Sequence, residues 1–241
     1  MTQYSDSLRT GAGNGPTSAR WIPGQDVGVL LSNVQKYSIV PLALGAANIV
    51  ASAIVNGAAT LAAGTGVTSS TTAIPQAQGT TVLVLDVPRC ISITGTAGGV
   101  TAVPFTIVGY DVYFQPMTQT LTGPAATATV TTLKAFKYIQ SITSTGTTTA
   151  AVTIGTSDTM GLPFNTVTFD DIITLKYNSA VVTASTGFVA GVQTSPNTAA
   201  LGDVRGTYAL QSASDGSKRF TVYQNVDATN TTDGIYGVLP V

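Results

Sequence analysis

The chain of 241 residues contains no histidine. It also contains no glutamate, so all 11 of its acidic residues are aspartates. Histidine and glutamate are the commonest general acid–base side chains, and histidine is also the commonest metal ligand. An enzyme built on this chain would have to work with Asp, Lys, Tyr or Cys. The composition therefore points to a structural or binding protein. Charge of either sign is scarce as well. Charged residues make up 9% of the chain, where an ordinary soluble domain carries about 25%. The net charge of −1 and pI near 5.1 give no electrostatic case for nucleic acid or an anionic membrane. The basic residues are scattered singly apart from Lys218–Arg219, which reads as the solvated tip of a turn. A surface this poor in charge is weakly protected against association. That is a liability in a monomer and is expected of a subunit covered by its neighbours.

Cysteine occurs once, at Cys90, which excludes an intrachain disulfide and implies no oxidising compartment. With no histidine to activate it, and in a strand position, Cys90 reads as a buried hydrophobe rather than a nucleophile. Long unbroken apolar runs are missing too. The most hydrophobic tract, residues 38–63, is interrupted by Pro41, Gly45, Asn48, Ser52, Asn56 and Gly57. A membrane span needs about 20 predominantly apolar residues. The interruptions and the lack of basic flanks favour buried strands or a short buried helix. The opening MTQYSDSLRTGAGNGPTSARW lacks the apolar core of a signal peptide, and the expectation is a protein made and kept in the cytoplasm.

Residues 1–26 read as an extended arm, with Gly11, Gly13, Gly15, Pro16, Pro23 and Gly24 and no apolar periodicity. The arm nevertheless carries Tyr4, Ile22 and Trp21, the only tryptophan. Ordering such a segment costs about 1–2 kcal/mol per residue, and one buried aromatic returns only a few kcal/mol. Tyr4, Trp21 and Ile22 are therefore expected to dock on an adjacent subunit or an underlying shell, with Trp21 as the anchor.

Residues 27–79, rich in Ala, Gly and Thr, are expected to pack on the main domain. Within them VGVLLSNVQKYSIVPLALG accommodates two short strands or a helical turn near 31–36. Residues 80–241 are expected to form an antiparallel β-sandwich or Greek-key barrel with a C-terminal hairpin and tail, making the protein all-β. The run TTVLVLDVP ends at Pro88, and RCISITGT alternates with Cys90 facing away from Ile91 and Ile93. Three further runs follow: VPFTIVGYDVYFQPMTQTLTG, TATVTTLKAFKYIQSITST and TAAVTIGTSDTMGLP. VRGTYALQSASDGSKRFTVYQNV reads as a hairpin with Asp215–Gly216 at its turn. Threonine is abundant because its branched Cβ suits a strand while its hydroxyl wets the outer face without charge.

The runs GYDVYFQPMTQTLT, KAFKYIQSIT and VTIGTSDTMGLPF lie within residues 88–164. Together they resemble the virion structural proteins of tailed bacteriophages, among them minor capsid and head-decoration proteins built from β-sandwiches. The later LGDVRGTYALQSASDGSKRFTVYQ is similar to the C-terminal part of such proteins. The resemblance implies a capsid decoration, cement or minor head subunit residing in the virion. Its partners would be the major capsid protein or other virion subunits. It would be a dimeric or trimeric homo-oligomer without cofactor, nucleic acid or membrane. It carries over no functional residue.

The remaining candidates are weighed on their chemistry. Asp170–Asp171 could contribute oxygens to a hard cation, but no Asp-x-Asp-x-Asp-Gly loop surrounds them, and a polar start to the strand IITLKY is the plainer reading. Asp158 reads as a turn residue closing on its own backbone. The glycines at 11, 13 and 15 lack the strand, the Lys-Ser/Thr ending and the helix of a phosphate loop. Asn230-Thr231-Thr232 fits a glycosylation triplet without a secretory signal. Tyr110, Tyr113 and Phe114 could form a sugar-stacking platform, although Tyr113 and Phe114 would face opposite ways on one strand. A host-recognition module of a head or tail fibre and an Asp-based hydrolase remain as alternatives to the structural reading. No metal is expected.

Overall fold

The computed structural model describes residues 20–21, 28–29, 33–75, 78–98, 100–192 and 202–226. Strands take up 47% of the chain and helix 2%, so the protein is all-β. Every ladder between the described strands is antiparallel. Strands β1 (Arg20–Trp21) and β2 (Gly28–Val29) pair with each other. The side chains of Tyr4, Trp21 and Ile22 lie outside the described residues.

The larger sheet is one curled half-barrel. Its spine is β6 (Val82–Gly95), 14 residues long. On one side β6 pairs with β11 (Val152–Gly161), which continues to β15 (Thr207–Ala209) and β14 (Phe188–Val189). On the other side it pairs with β10 (Phe136–Ser144), then β7 (Pro104–Tyr110) and β8 (Pro116–Thr122). Three short strands complete the curl: β4 (Val50–Ala53) on β11, and β5 (Val67–Ser70) and β9 (Thr129–Thr131) on β6. The smaller sheet has the order β13 (Ala180–Val182), β12 (Ile172–Tyr177), β16 (Phe220–Val226) and β3 (Asn33–Ile39). Residues 33–36, where a helical turn competed with a strand, are therefore extended.

Two cores form, one inside the curl and one between the two sheets. The curl holds Leu85, Ile91, Ile93, Phe105, Ile107, Phe136, Ile139, Val152 and Ile154. Each fully buried side chain of this kind contributes about 1.5–3 kcal/mol. The smaller sheet turns Leu175, Tyr177, Phe220 and Val222 onto Met160, Leu162 and Tyr208 at the far end of β11 and β15. Alternation along β12 and β16 sends these residues inward and Thr174, Lys176, Thr221 and Tyr223 outward. Tyr208 links rings across this core, 6.1 Å from Phe220 and 6.3 Å from Phe169.

The Ala/Gly/Thr-rich region lies against the curl, and its residues 38–74 include no helix. Asn48 holds it there. Its side-chain amide donates to Thr65 O and Thr156 Oγ1, both at 3.0 Å, and its Oδ1 accepts from Thr156 N at 3.1 Å. Small residues are needed because the backbones of Gly45 and Gly155 come into contact here, Thr156 N donating to Gly45 O at 3.0 Å.

Four local expectations are corrected. Pro88 does not end a strand: β6 runs through it. The ladder to β10 shifts register in this stretch, with Phe136 opposite Arg89 and Tyr138 opposite Val84, and a bulge of this kind tolerates a residue without an N–H. The Lys137 ammonium takes up the carbonyls of Leu85 and Asp86 there. The single run across residues 103–123 is instead a hairpin, β7 and β8, with Asp111 to Gln115 between them. The segment around Asp215–Gly216 does turn, with Asp215 Oδ1 accepting from Ser217 N at 2.9 Å and Lys218 N at 3.0 Å. It is not a hairpin, however, because β15 belongs to the large sheet and β16 to the small one. Asp158 is not a turn residue, since it sits within β11.

Candidate functional site

Two buried arginines, Arg89 and Arg205, each anchor a polar network within the fold. Arg89 on β6 is 1% exposed. Its Nε donates to Ser157 O at 2.9 Å and its Nη1 to Leu42 O at 3.2 Å. It pairs with Asp86 at 3.3 Å and with Asp158 at 3.2 Å, and Nη2 also donates to Ser214 Oγ. Leu42 N in turn donates to Asp86 Oδ2 at 2.7 Å. One guanidinium thus ties the start of the Ala-rich region, β6, β11 and the loop before β16 together.

A second network closes the β7–β8 hairpin. Arg205 Nη1 meets Asp111 Oδ2 at 2.7 Å, with both side chains buried. The other carboxylate oxygen of Asp111 accepts from Tyr113 N at 2.7 Å and Gln115 N at 2.8 Å. This wraps the turn tightly enough to place Phe114 at φ 65, a left-handed conformation that bulky residues rarely adopt. Phe114 is held there by stacking on Tyr138 at 5.4 Å. Tyr113 lies under the Arg205 guanidinium at 5.3 Å and donates its hydroxyl to Pro163 O at 2.7 Å. Asp203 accepts from Arg205 N at 2.9 Å and from Ala135 N at 3.0 Å. Burial pulls the Arg205 guanidinium down, but Asp203 and Asp111 more than offset it, so its net direction is upward. Burial also lowers the ammonium of Lys134, opposed by Asp203.

These charges are matched to one another and aimed at neighbouring backbone, so their chemical effect is to fix loops. Removing one partner of such a buried pair strands the other. Tyr113 and Phe114 sit in the turn and not on opposite faces of a strand, and both rings are engaged internally. Cys90 is fully buried, and burial pushes its thiol well above the ordinary range. Asp170 and Asp171 lie in a single 3-10 turn, Phe169–Asp171, where Asp171 Oδ2 accepts from Thr168 N at 2.9 Å and Val167 N at 3.2 Å. Among the described residues no group of three or more acidic or cysteine side chains is placed to hold a metal ion. Among them, too, no helix is long and apolar enough to cross a membrane.

What faces outward is chiefly hydroxyl-bearing or apolar. Ile54, Val181, Ile173 and Val167 are each more than half exposed, and Leu42 and Leu44 at least two-fifths. Leu42 borders a shallow apolar groove of about 310 Å³ with Val67, Val84 and Leu85. The outer face of the small sheet differs, because it collects Lys36, Lys176 and Arg219 around Tyr223. Reading the basic residues as singly scattered missed this. Their meeting depends on the register of three strands distant in sequence, which no local pattern encodes. Comparison with protein-family models, with curated proteins and with solved structures finds no match.

Proposed function

We propose that the chain is a non-enzymatic structural subunit of a tailed-bacteriophage virion, a capsid decoration, cement or minor head protein that stabilises the shell through subunit contacts. The observation that carries this reading is where the charge goes. Arg89, Lys134, Arg205, Asp111 and Asp203 are each no more than 2% exposed. These five of its few charges brace its loops, and away from the cationic face of the small sheet the surface is chiefly hydroxyl-bearing or apolar. Such a surface favours association over isolation. The resemblance of residues 88–164 to virion proteins supplies the kind of assembly. The major capsid protein or another virion subunit is the partner, and a closed dimer or trimer is the form in which the chain docks. The arm with Tyr4, Trp21 and Ile22 reaches onto that neighbour.

Sedimentation velocity of the full chain over a wide concentration range tests this reading. A closed oligomer that is weakened by Trp21→Ala without loss of the β signal in circular dichroism supports it. A well-behaved monomer with no affinity for capsid shells contradicts it. A second reading, a fibre module that binds surface carbohydrate, is favoured by the placement of Tyr223 among hydroxyls and cations on the outer face of the small sheet.

A further inference from the structure

Arg9 and Arg20 aside, the lysines and arginines lie where their side chains are described. Arg89, Lys134 and Arg205 are buried, and Lys137 is committed to the backbone carbonyls of Leu85 and Asp86. Lys218 pairs with Asp215 at 3.4 Å. The three that remain, Lys36, Lys176 and Arg219, converge on one depression of about 190 Å³, lined also by Ser179, Thr221 and Tyr223.

Register explains the convergence. Thr174, Tyr223 and Lys36 stand side by side across β12, β16 and β3, and Lys176, Thr221 and Ser38 form the next row. Residues two apart share a face, so Arg219, two before Thr221, joins them. Its Nη1 donates to Ser38 Oγ at 3.2 Å, and Ser38 Oγ lies 3.0 Å from Thr221 Oγ1. The Lys36 ammonium lies 5.8 Å from the centre of the Tyr223 ring. Among the described residues no carboxylate pairs with any of the three cations. Elsewhere in this chain buried cations are matched by an aspartate or by backbone carbonyls. Here three like charges border one concavity with only hydroxyls and an aromatic ring between them. A concavity with that balance of charge attracts an anion.

We propose that this depression binds a doubly charged oxyanion, a phosphate or sulfate group, either free or carried on a sugar. The cations hold the oxyanion and Thr221 and Ser179 donate hydroxyl hydrogen bonds to it. The exposed side of Tyr223 is where the ring of a sugar would rest. The inference is independent of whether the chain serves a virion.

The test is calorimetric titration of the full chain at low ionic strength with inorganic phosphate, glucose 6-phosphate and glucose. Sodium chloride of matched ionic strength serves as the control. Saturable one-to-one binding of phosphate is expected, with none for glucose or chloride. Tighter binding of glucose 6-phosphate identifies the sugar-borne group as the ligand, and equal binding identifies the free anion. Lys176→Gln and Arg219→Gln should each weaken binding roughly tenfold at an unchanged melting temperature, and Lys176→Arg should retain it. Absence of saturable phosphate binding, equal displacement by chloride, or wild-type affinity in both glutamine variants overturns the proposal.

Discussion

Gly155 on β11 and Gly45 in the Ala-rich region touch backbone to backbone, so that a Cβ at position 155 would fall within the carbonyl oxygen of Gly45. This contact lets residues 41–66 lie flat on the curl, and it gives the small-residue composition of that region a physical reason. Gly155→Ala cannot be absorbed by a side-chain rotation. It should destabilise the protein by about 3 kcal/mol or more, at the upper end of overpacking effects. Gly146→Ala meets only ordinary contact with Val103 and should stay within about 0.5 kcal/mol. Urea midpoints of the two variants check this, and equal midpoints would show that the crossing is not so close.

Asp111 and Arg205 form the most buried ion pair among the described residues. Asp111→Ala should cost about 3–5 kcal/mol, because it takes from a buried guanidinium the carboxylate that hydrogen-bonds it. It also releases the amides of Tyr113 and Gln115. Replacing both, with Asp111→Leu and Arg205→Met, should cost less than the sum of the single changes. Additive denaturation energies in that double-mutant cycle would mean that the pair does not act as a unit.

Alkaline pH should unfold the protein in a defined order. Burial raises the Cys90 thiol above 9.0 and the phenols of Tyr37, Tyr138, Tyr177 and Tyr208 above 10.0. The folded chain keeps these protons longer than the unfolded one. Their contribution is full below those ordinary values and is lost as pH climbs toward the raised folded values. Lys134 and Lys137, lowered from 10.5 by burial, act in the opposite sense and gain stability with rising pH up to that value. The melting temperature should therefore fall steeply above pH 10.5, where the lysine gain has ended and the thiol and the four phenols all lose. A steady decline beginning below pH 9 contradicts this assignment. The same burial predicts that a thiol reagent leaves Cys90 untouched until denaturant is added.

The all-β class was legible because β-branched residues, alternation and turn signals repeat along residues 80–193, and each is a local property. Cys90 was legible for the same reason, as a small apolar residue in an apolar run. What depends on distant partners was not. Asp215–Gly216 carries true turn chemistry, yet nothing nearby says that the flanking strands belong to different sheets. Asp158 looked like a turn residue because Ser and Thr surround it, whereas Arg89, far away in sequence, decides its role. Pro88 broke the apparent strand, since a register shift cannot be read from one strand alone. The cationic face was invisible in sequence because Lys36, Lys176 and Arg219 meet only through ladder register.

Imaging of intact particles from the host that carries this gene, with the chain located by density or by a bound antibody, tests the structural-subunit reading most directly. The account predicts the chain at regularly repeated positions on the capsid or head, in contact with a neighbouring subunit. Purified particles without the chain, while the surrounding cytosol contains it in abundance, would contradict it.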